Sequence, residues 1–451
     1  MERRKLNVNA VPWRKVLIIV FWALVWHGLA LWVDNSILLV TPSETVRALT
    51  ALLPLAEFWQ TILVSLLRIG GGFFLGSLCG VVLAGLGWKS RMLKEALTPV
   101  MNLLKAIPVA SFAVILLIWW GSSMLAVAIS FLVVLPNIYI QTLEGLKSTD
   151  KKLLEMAEVL ALPFWTRFLY IYRPALKPFL YGSMKVSLGM SWKSGVAAEV
   201  IGTPDFSIGE RLYLSKIYLD TAGVFAWTVV VILLSLCFEK AVLRLLDQLY
   251  GWEPPCKKAG SSDAGKGART PGEIVCSKVS KGYGRGKVLE EFSASYGPGG
   301  KILLTSPSGS GKTTLLRLLC GLEQPDSGEI ARKGSCSMMF QEDRLCEEYS
   351  ALRNVEMVVG DKIKARSALL ELLEEEALDG PCGRLSGGMK RRVALVRAME
   401  AESDIVLLDE PFTGMDADTQ RRARSYIQKK QNGRLLVMAS HSEAGREESV
   451  L

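Results

Sequence analysis

The chain has few of the residues from which zinc sites are built. It holds two histidines and eight cysteines in 451 residues, and no two cysteines form a C-x-x-C pair or a zinc-binding spacing. Structural zinc sites need such clusters. The scattered thiols are instead typical of a reducing cytosolic setting or of burial in a membrane.

The sequence also predicts no cleavable export signal. The segment Met1–Lys5 is basic, but no small-residue cleavage site follows the first apolar stretch, so we interpret that stretch as a retained anchor. The net charge of +9 could indicate a nucleic-acid partner. Much of this charge lies beside apolar stretches, however, and we predict no nucleic acid among the partners.

Long apolar stretches are abundant. Half of the residues are hydrophobic, and ~20 consecutive apolar residues suffice to cross a bilayer as a helix. Six stretches qualify, at roughly 15–33, 60–87, 97–120, 124–146, 178–201 and 223–246. We therefore predict an all-α, six-helix transmembrane domain over residues 1–250, surrounded by membrane lipid, rather than buried helices of a soluble protein.

Lysine and arginine indicate the orientation of these stretches. They precede the first, follow the second and accumulate between the fourth and the fifth, whereas the loops on the other side hold few. Cytoplasmic loops carry the excess of basic residues. We therefore predict a multi-pass protein of the cell (plasma) membrane whose N-terminus and C-terminal domain are cytoplasmic.

The composition changes after the last apolar stretch. Residues 251–272 are rich in Gly, Ser, Pro and Lys, which predicts a flexible linker. Residues 273–451 are mixed and charged, with strand-like segments at 300–305 and 404–408 between helical patterns. This alternation predicts a soluble α/β domain.

A loop of small residues, SPSGSGKTT, follows the first of these strands. Small residues let backbone N–H groups surround phosphate oxygens, and the helix N-terminus behind the loop adds positive potential. Lys312 is placed to reach the β- and γ-phosphates, and the Thr313 hydroxyl to bind Mg²⁺. An ordinary Gly/Ser turn is the alternative, because Ser306 replaces the usual first glycine. The predicted nucleotide-binding residues are Ser306, Ser308, Gly309, Ser310, Gly311, Lys312, Thr313 and Thr314.

The second strand ends in two acids. Asp409 is placed to hold Mg²⁺ and Glu410 to polarise an attacking water, although two solvated acids after a core strand would look the same. Upstream, a Ser386–Gly388 turn opens a basic helix and is either an anion site or a simple cap. Gln341 by itself indicates no particular function. His441 follows an apolar strand, which favours a γ-phosphate contact over a structural role.

In this order, these segments resemble the nucleotide-binding domain of ABC transporters over about residues 273–451. The resemblance implies a P-loop NTPase fold, ATPase activity, and ATP and Mg²⁺ as cofactors. It also implies catalytic roles for Glu410, Gln341 and His441, metal binding by Thr313, Gln341 and Asp409, ATP contacts by Ser386, Gly387 and Gly388, and stacking of Tyr283 on adenine. The Tyr283 segment could equally be an ordinary turn. Two further departures from the family pattern are TGMD at Thr413–Asp416 and Ser442 after His441.

The membrane half has a motif of its own. Residues 155–161 read EMAEVLA, and Ile171–Pro174 follows. This resembles the EAA loop of bacterial importer permeases, with Ala161 in place of the glycine. Leu153, Met156, Ala157 and Leu160 would share one helix face, which predicts docking in a groove of the ATPase rather than a solvated connector. The predicted coupling residues are Glu155, Ala157, Leu160 and Ala161.

The segment 192–202, WKSGVAAEVIG, resembles the nitrate/sulfonate/taurine permease group. Permease and ATPase are usually separate chains there, so the fusion is a departure. Lys193 and Glu199 lie near membrane depth, and three interpretations of Lys193 stay open: attraction of an anionic substrate, a pair with Glu199, or snorkelling.

The resemblance implies an ATP-driven importer of a small molecule, a sulfonate, nitrate-like or related nutrient. One chain carries one phosphate loop and one LSGG segment, while each ATP site needs both from different chains, so a second copy is the implied partner. The resemblance also implies an extracellular or periplasmic solute-binding protein. The alternatives are an ABC exporter or flippase, and a non-transporting ATP-driven membrane regulator.

Overall fold

The chain folds as two units. A computed structural model describes residues 13–251, 271–284, 286–305, 307 and 309–440. One unit comprises Met1–Lys147 with Leu176–Trp252, and the other Ser148–Ala175 with Glu253–Leu451. Most of the linker predicted at 251–272 lies outside the described residues. The segment between the fourth and fifth predicted spans is part of the second unit.

The N-terminal half of the chain is helical. Its helices are α1 (Trp13–Val33), α2 (Pro42–Leu52), α3 (Ala56–Lys89), α4 (Arg91–Ala106), α5 (Val109–Lys147), α6 (Lys151–Val159), α7 (Phe164–Arg167), α8 (Arg173–Gly202), α9 (Ile208–Ile217) and α10 (Thr221–Gly251). A π-helical turn, Phe168–Tyr172, precedes α8. Of these elements, α6, α7 and the π turn belong to the second unit.

The prediction of six spans is not confirmed. Among the described residues, four helices are long and apolar enough to cross a membrane: Val16–Val33, Ala56–Lys89, Val109–Lys147 and Thr221–Gly251. The predicted span at 97–120 is interrupted at Ile107, because the residue before a proline is driven out of the helical conformation. α5 then covers parts of two predicted spans and bends at Gly121, whose φ is 74°. α8 occupies the place of the fifth predicted span but carries several charges along its length.

Glycines set the packing of the two long helices α3 and α5. Gly72, Gly76 and Gly80 recur every four residues and therefore share one face of α3. A Cβ atom at these positions would lie 2.3 Å from the Val127 carbonyl oxygen, 2.9 Å from that of Phe131 and 3.0 Å from the Ile138 side chain, respectively. The two backbones thus approach as closely as small-residue seams allow in membrane helices.

The second unit contains two sheets. Its strands are β1 (Glu273–Tyr283), β2 (Gly286–Tyr296), β3 (Lys301–Leu304), β4 (Ser327–Lys333), β5 (Cys336–Met339), β6 (Ile405–Asp409) and β7 (Leu435–Ala439). An antiparallel sheet has the order β2-β1-β4, and a parallel sheet has the order β3-β7-β6-β5. Every residue of β6 and β7 is buried, as expected for parallel strands covered on both faces.

The described residues of this unit also form the α-helices α11 (Lys312–Cys320), α12 (Ala351–Val359), α13 (Lys362–Leu370), α14 (Gly387–Glu400) and α15 (Ala417–Gln431). α14 and α15 begin with side-chain caps from Ser386 and Asp416. The predicted α/β fold of the C-terminal domain is therefore confirmed.

Candidate functional site

The candidate site lies at the carboxyl edge of the parallel sheet. Ala439, the last residue of β7, pairs with Leu304 at the end of β3 and with Asp409 at the end of β6. The end of β5 pairs beside it, Met339 with Leu408. The segments that follow these strands therefore emerge together, and this edge is where α/β sheets bind ligands. His441, Ser306 and Ser308 lie outside the described residues.

The loop before α11 has the backbone that a phosphate cradle needs. Gly309 and Gly311 have φ values of 82° and 86°, a conformation that residues with a Cβ atom rarely adopt. A Cβ at Gly311 would also lie 2.6 Å from the Val288 side chain. Lys312 is mostly buried, and its Nζ donates to the Pro307 carbonyl at 3.0 Å. Its ammonium group is thus held over the loop.

Asp409 is a buried carboxylate with few partners. It is 1% exposed, its side chain interacts with the Thr313 hydroxyl, and no other hydrogen-bond donor to its oxygens lies in the part of the chain that the structure describes. Burial raises its pKa, whereas the Thr313 hydroxyl and the charges of Arg391 and Lys312 act in the opposite direction. Buried polar atoms normally have partners. These oxygens therefore fit a hard cation, for which carboxylate and hydroxyl are suitable ligands.

Glu410 sits in an unusual backbone conformation. Its φ is 50°, in the left-handed region that is rare for a residue with a side chain. Its N–H donates to the Ala439 carbonyl at 3.0 Å, and its carboxylate accepts from the Thr413 hydroxyl at 3.2 Å. The turn at the end of β6 is thus held in place, with Glu410 directed out of the strand.

The remaining predicted contacts lie on separate segments. Gln341 is exposed and follows β5 closely. Ser386 caps α14 by accepting from the Met389 N–H at 3.3 Å, as the simple-cap alternative predicted, and Gly387 beside it is exposed. A Cβ at Gly388 would lie 2.9 Å from the Gly414 carbonyl oxygen, so this turn packs against the segment that follows Glu410.

Tyr283 is half exposed at the end of β1, and its hydroxyl donates to Glu323. Thr314, on the first turn of α11, lowers the pKa of this tyrosine against the stronger effects of burial and Glu323, which raise it. The ring therefore lies beside the helix that follows the phosphate loop, which is compatible with either of the two interpretations of Tyr283.

The helix α6 packs against the second unit by an apolar face. Met156 and Ala157 are fully buried and Leu160 is 6% exposed, in a cluster shared with Leu319 and Phe340. The predicted docking of this helix is thus observed within the unit. Val159, the last residue of α6, is buried as well.

Glu155 connects α6 to two segments that follow strands of the parallel sheet, α11 after β3 and the segment after β5. Arg317, on α11, donates to both oxygens of Glu155 at 3.0 and 3.2 Å. Arg344, three residues after Gln341, donates to Glu155 at 2.8 Å. The Arg317 hydrogen bond lowers the pKa of Glu155, and Arg344 acts in the same direction. Sequence reasoning missed both arginines, because nothing in their spacing indicates a partner more than 150 residues away.

Ala161 ends α6 in a left-handed conformation. Its φ is 47°. The Ala161 N–H donates to the Glu158 carbonyl at 3.0 Å and the Leu162 N–H to the Ala157 carbonyl at 2.9 Å. This pair of bonds is a Schellman motif, whose left-handed position favours glycine. The position at which the sequence departs from the EAA pattern is therefore one where a glycine relieves strain.

Ala161→Gly should stabilise the second unit. A left-handed residue with a Cβ atom costs about 1 kcal/mol, and we expect the substitution to raise the free energy of unfolding by up to about that amount. Ala157→Gly on the same helix is the matched control. It should lower the free energy of unfolding by about 1 kcal/mol or more, because it removes a buried methyl group and frees a helical backbone position. Thermal unfolding of the full chain in detergent measures both; equal signs would contradict the interpretation of Ala161.

In the membrane unit, Glu199 is buried and does not pair with Lys193. Its Oε2 accepts from the Ser65 hydroxyl at 2.8 Å and from the Gly209 N–H at 3.2 Å. Lys193 is exposed on another side of α8. Among the described residues Lys193 and Glu199 form no ion pair. Attraction of an anionic substrate and snorkelling are the two interpretations of Lys193 that stay open.

Two family models match the chain. One, described as ABC transporter, covers residues 289–413. The other, described as binding-protein-dependent transport system inner membrane component, covers residues 72–249. Each match falls within one of the two halves predicted from the sequence.

Curated relatives match the ATP-binding half. The aliphatic sulfonates import ATP-binding protein SsuB 1 of Nocardia farcinica is 38% identical over 161 residues, which cover 35% of this chain and 66% of that protein. The sulfate/thiosulfate import ATP-binding protein CysA of Synechococcus elongatus is 37% identical, over 35% of this chain and 51% of that protein. The Fe(3+) ions import ATP-binding protein FbpC of Agrobacterium fabrum is 37% identical, over 38% and 55%, respectively.

The chain thus spans between half and two thirds of the length of these relatives. A solved dimeric bacterial ABC transporter cassette is also similar, at 26% identity and a TM-score of 0.35, over 38% of this chain and 88% of that one. The assignment rests on the two family models, which together cover both halves. The chain belongs to the ABC transporters and joins, in one polypeptide, an importer-type integral membrane component and an ABC ATP-binding domain.

Proposed function

We propose that this chain is a half-transporter that uses ATP to import a small solute across the cell membrane. The observation that carries the proposal is the double contact of Glu155. One carboxylate on a helix inserted between membrane segments binds both the helix after the phosphate loop and the segment after Gln341. A movement of these segments at the carboxyl edge of the parallel sheet would thereby be transmitted to α6.

The residues at this edge suit phosphoryl transfer. The 306–314 loop and Lys312 would hold the β- and γ-phosphates, Tyr283 the adenine, and Glu410 the attacking water, with Gln341 and His441 completing the site. Asp409 and Thr313 would hold Mg²⁺, together with Gln341, and the burial of the Asp409 carboxylate beside the Thr313 hydroxyl supports that role. The ion would supply positive charge to the phosphates when bound. Such reactions depend mainly on positioning and charge stabilisation.

The partner in hydrolysis would be a second copy of this chain. Ser386–Gly388 caps an exposed helix start, and such a start attracts phosphate oxygens. In ABC transporters the phosphate loop of one chain faces this turn of another. A homodimer would supply two complete ATP sites and two membrane halves.

The substrate and its delivery are inferred from the relatives. Their names specify sulfonates, sulfate or thiosulfate, and Fe(3+) ions. With the likeness of residues 192–202 to the nitrate/sulfonate/taurine group, we favour a sulfonate or a similar small anion. A solute-binding protein outside the cytoplasm would deliver it.

Transport in proteoliposomes tests the proposal. The full chain is reconstituted with ATP on the side of the ATP-binding domain, and solute-binding proteins of the same organism are supplied one at a time with labelled taurine or sulfate. ATP-dependent movement toward the ATP side, only with a binding protein, is the expected result. Movement in the other direction would establish an exporter, and ATP hydrolysis without movement of any solute would favour a regulator.

A further inference from the structure

A buried arginine with an unusual set of acceptors lies behind the candidate site. Arg391, on α14, is 4% exposed. Sequence reasoning placed it only within a basic run at the start of a helix, a pattern that normally indicates a solvated face. Here the guanidinium group lies inside the domain, and its Nε has no partner among the described residues.

The two ends of the guanidinium bind two different segments. Nη1 donates to the carbonyl oxygens of Phe340 and Gln341, both at 2.8 Å, and to the Asp343 carboxylate at 3.1 Å. Nη2 donates to the Asp409 carbonyl and, at 2.7 Å, to the Glu410 carbonyl. One planar group therefore joins the segment after β5 to the turn after β6.

These carbonyls lie beyond the end of the β5–β6 ladder. The pairing of β5 with β6 ends at Met339 and Leu408, so the residues beyond have no partner in that ladder. Arg391 replaces the missing hydrogen bonds across this gap. A lysine could not, because its single nitrogen lacks the two-pronged geometry of guanidinium.

The same contact holds the strained residue Glu410. A left-handed backbone persists at a functional site only when its surroundings fix it. The Glu410 carbonyl accepts from Arg391 at 2.7 Å and from the Thr413 N–H at 3.3 Å, and the Glu410 N–H donates to Ala439. Loss of the arginine would release the shorter of the two hydrogen bonds to this carbonyl.

The segment after β5 is also tied to α6. Arg397, also on α14, donates to the carbonyls of Asp343 and Arg344 at 3.0 and 2.9 Å. The side chain of Arg344 binds Glu155. The segment after β5, which Arg391 joins to Glu410, is therefore also the segment that contacts α6.

We propose that Arg391 is a positioning residue for hydrolysis, which sets the place of the Glu410 carboxylate and links it to the Gln341 segment; this rests on the proposed function. Its hydrogen bonds go to four backbone carbonyls and to the Asp343 carboxylate. It acts through the carbonyls of Asp409 and Glu410, so its loss should affect turnover rather than ATP binding.

Steady-state ATP hydrolysis by the full chain in lipid nanodiscs tests this. Arg391→Met should lower kcat about 100-fold, since a misplacement of about 1 Å in a catalytic group has an effect of that order, while the KM for ATP changes by less than about threefold. Arg391→Lys keeps the charge without the fork and should lower kcat about tenfold. If the methionine variant does not fold, the lysine variant carries the test.

Arg434 supplies the matched control. It is 7% exposed and likewise donates to backbone carbonyls, those of Met399, Ala401, Lys430 and Gln431, away from both acids. Arg434→Met should reduce stability comparably and leave kcat of the folded fraction within about twofold of wild type. A loss of kcat equal to that of Arg391→Met would reduce Arg391 to a structural role and overturn the proposal.

A double variant separates this proposal from the proposed function. Because Arg391 acts through Glu410, Arg391→Met should add less than about threefold to the loss caused by Glu410→Gln. If the fold-loss of kcat in the double variant equals the product of the two single fold-losses, the positioning role is overturned. If Glu410→Gln alone hydrolyses ATP at the wild-type rate, the catalytic assignment fails. If it stalls while both Arg391 variants turn over normally, only the inference about Arg391 fails.

Discussion

Glu410→Gln should slow ATP hydrolysis about 10³-fold and leave ATP binding intact. An amide cannot accept the proton of the attacking water, and a positioned general base contributes about 10²–10⁴-fold. Its shape and its hydrogen bond from Thr413 are retained, so the turn at the end of β6 should keep its conformation. Lys312→Ala should act earlier, by weakening ATP binding itself, because the ammonium group held over the loop is lost.

Phosphate release and equilibrium ATP binding, measured on the full chain, distinguish these two effects. The Glu410→Gln variant should also accumulate as an ATP-bound dimer, visible as a doubled mass in detergent. Glu376→Gln, an exposed acid of the same unit, is the control and should behave as wild type. Near-normal phosphate release by Glu410→Gln would remove this residue from the catalytic role.

Glu155→Arg should separate ATP hydrolysis from transport. The substitution places a third cation beside Arg317 and Arg344, which now approach the carboxylate at 3.0 and 2.8 Å. Like charges at this distance repel, and the docked position of α6 loses both ion pairs. We expect at least about a tenfold fall in solute moved per ATP, with hydrolysis continuing, since a coupling free energy of about 1.4 kcal/mol corresponds to that factor.

Glu158→Arg is the matched control for this experiment. It makes the same charge reversal three residues later, at an exposed position. Uptake and hydrolysis are measured in the same proteoliposomes. An unchanged ratio in Glu155→Arg, or an equal fall in both variants, would refute the coupling role. Leu160→Asp is less informative, because this residue is 6% exposed and a buried carboxylate would destabilise the unit.

The features whose place in the fold agrees with the sequence prediction are local. The loop between β3 and α11, the acids at the end of the apolar strand β6 and the apolar face of α6 each depend on a short stretch of sequence, and their patterns follow from backbone geometry alone. The number of membrane spans cannot be read from the hydrophobicity of each stretch alone. A count of apolar residues does not register the interruption at Ile107, the bend at Gly121 or the charges along α8.

The arginines that organise the site could not be predicted either. Arg317 and Arg344 meet a carboxylate from the other half of the chain, and Arg391 binds backbone carbonyls, which carry no residue-specific signal. A basic residue in a basic run looks solvated until the fold encloses it. Ala161 was predictable only in part. The sequence shows that an alanine replaces the glycine of the EAA pattern, but only the structure shows that this position has a left-handed backbone.

The glycine seam between α3 and α5 limits how the membrane unit can change shape. A carbon atom added at Gly72 or Gly76 would lie less than 3.0 Å from a backbone oxygen of α5, and one added at Gly80 would press on Ile138, so these contacts favour a single register of the pair. Helix segments packed in this way move as one rigid body. If the pathway opens alternately to the two sides of the membrane, the hinges must therefore lie outside the contacting segments, as the bend at Gly121 does, and α3 with the part of α5 after Gly121 forms the fixed frame around which the other helices rotate.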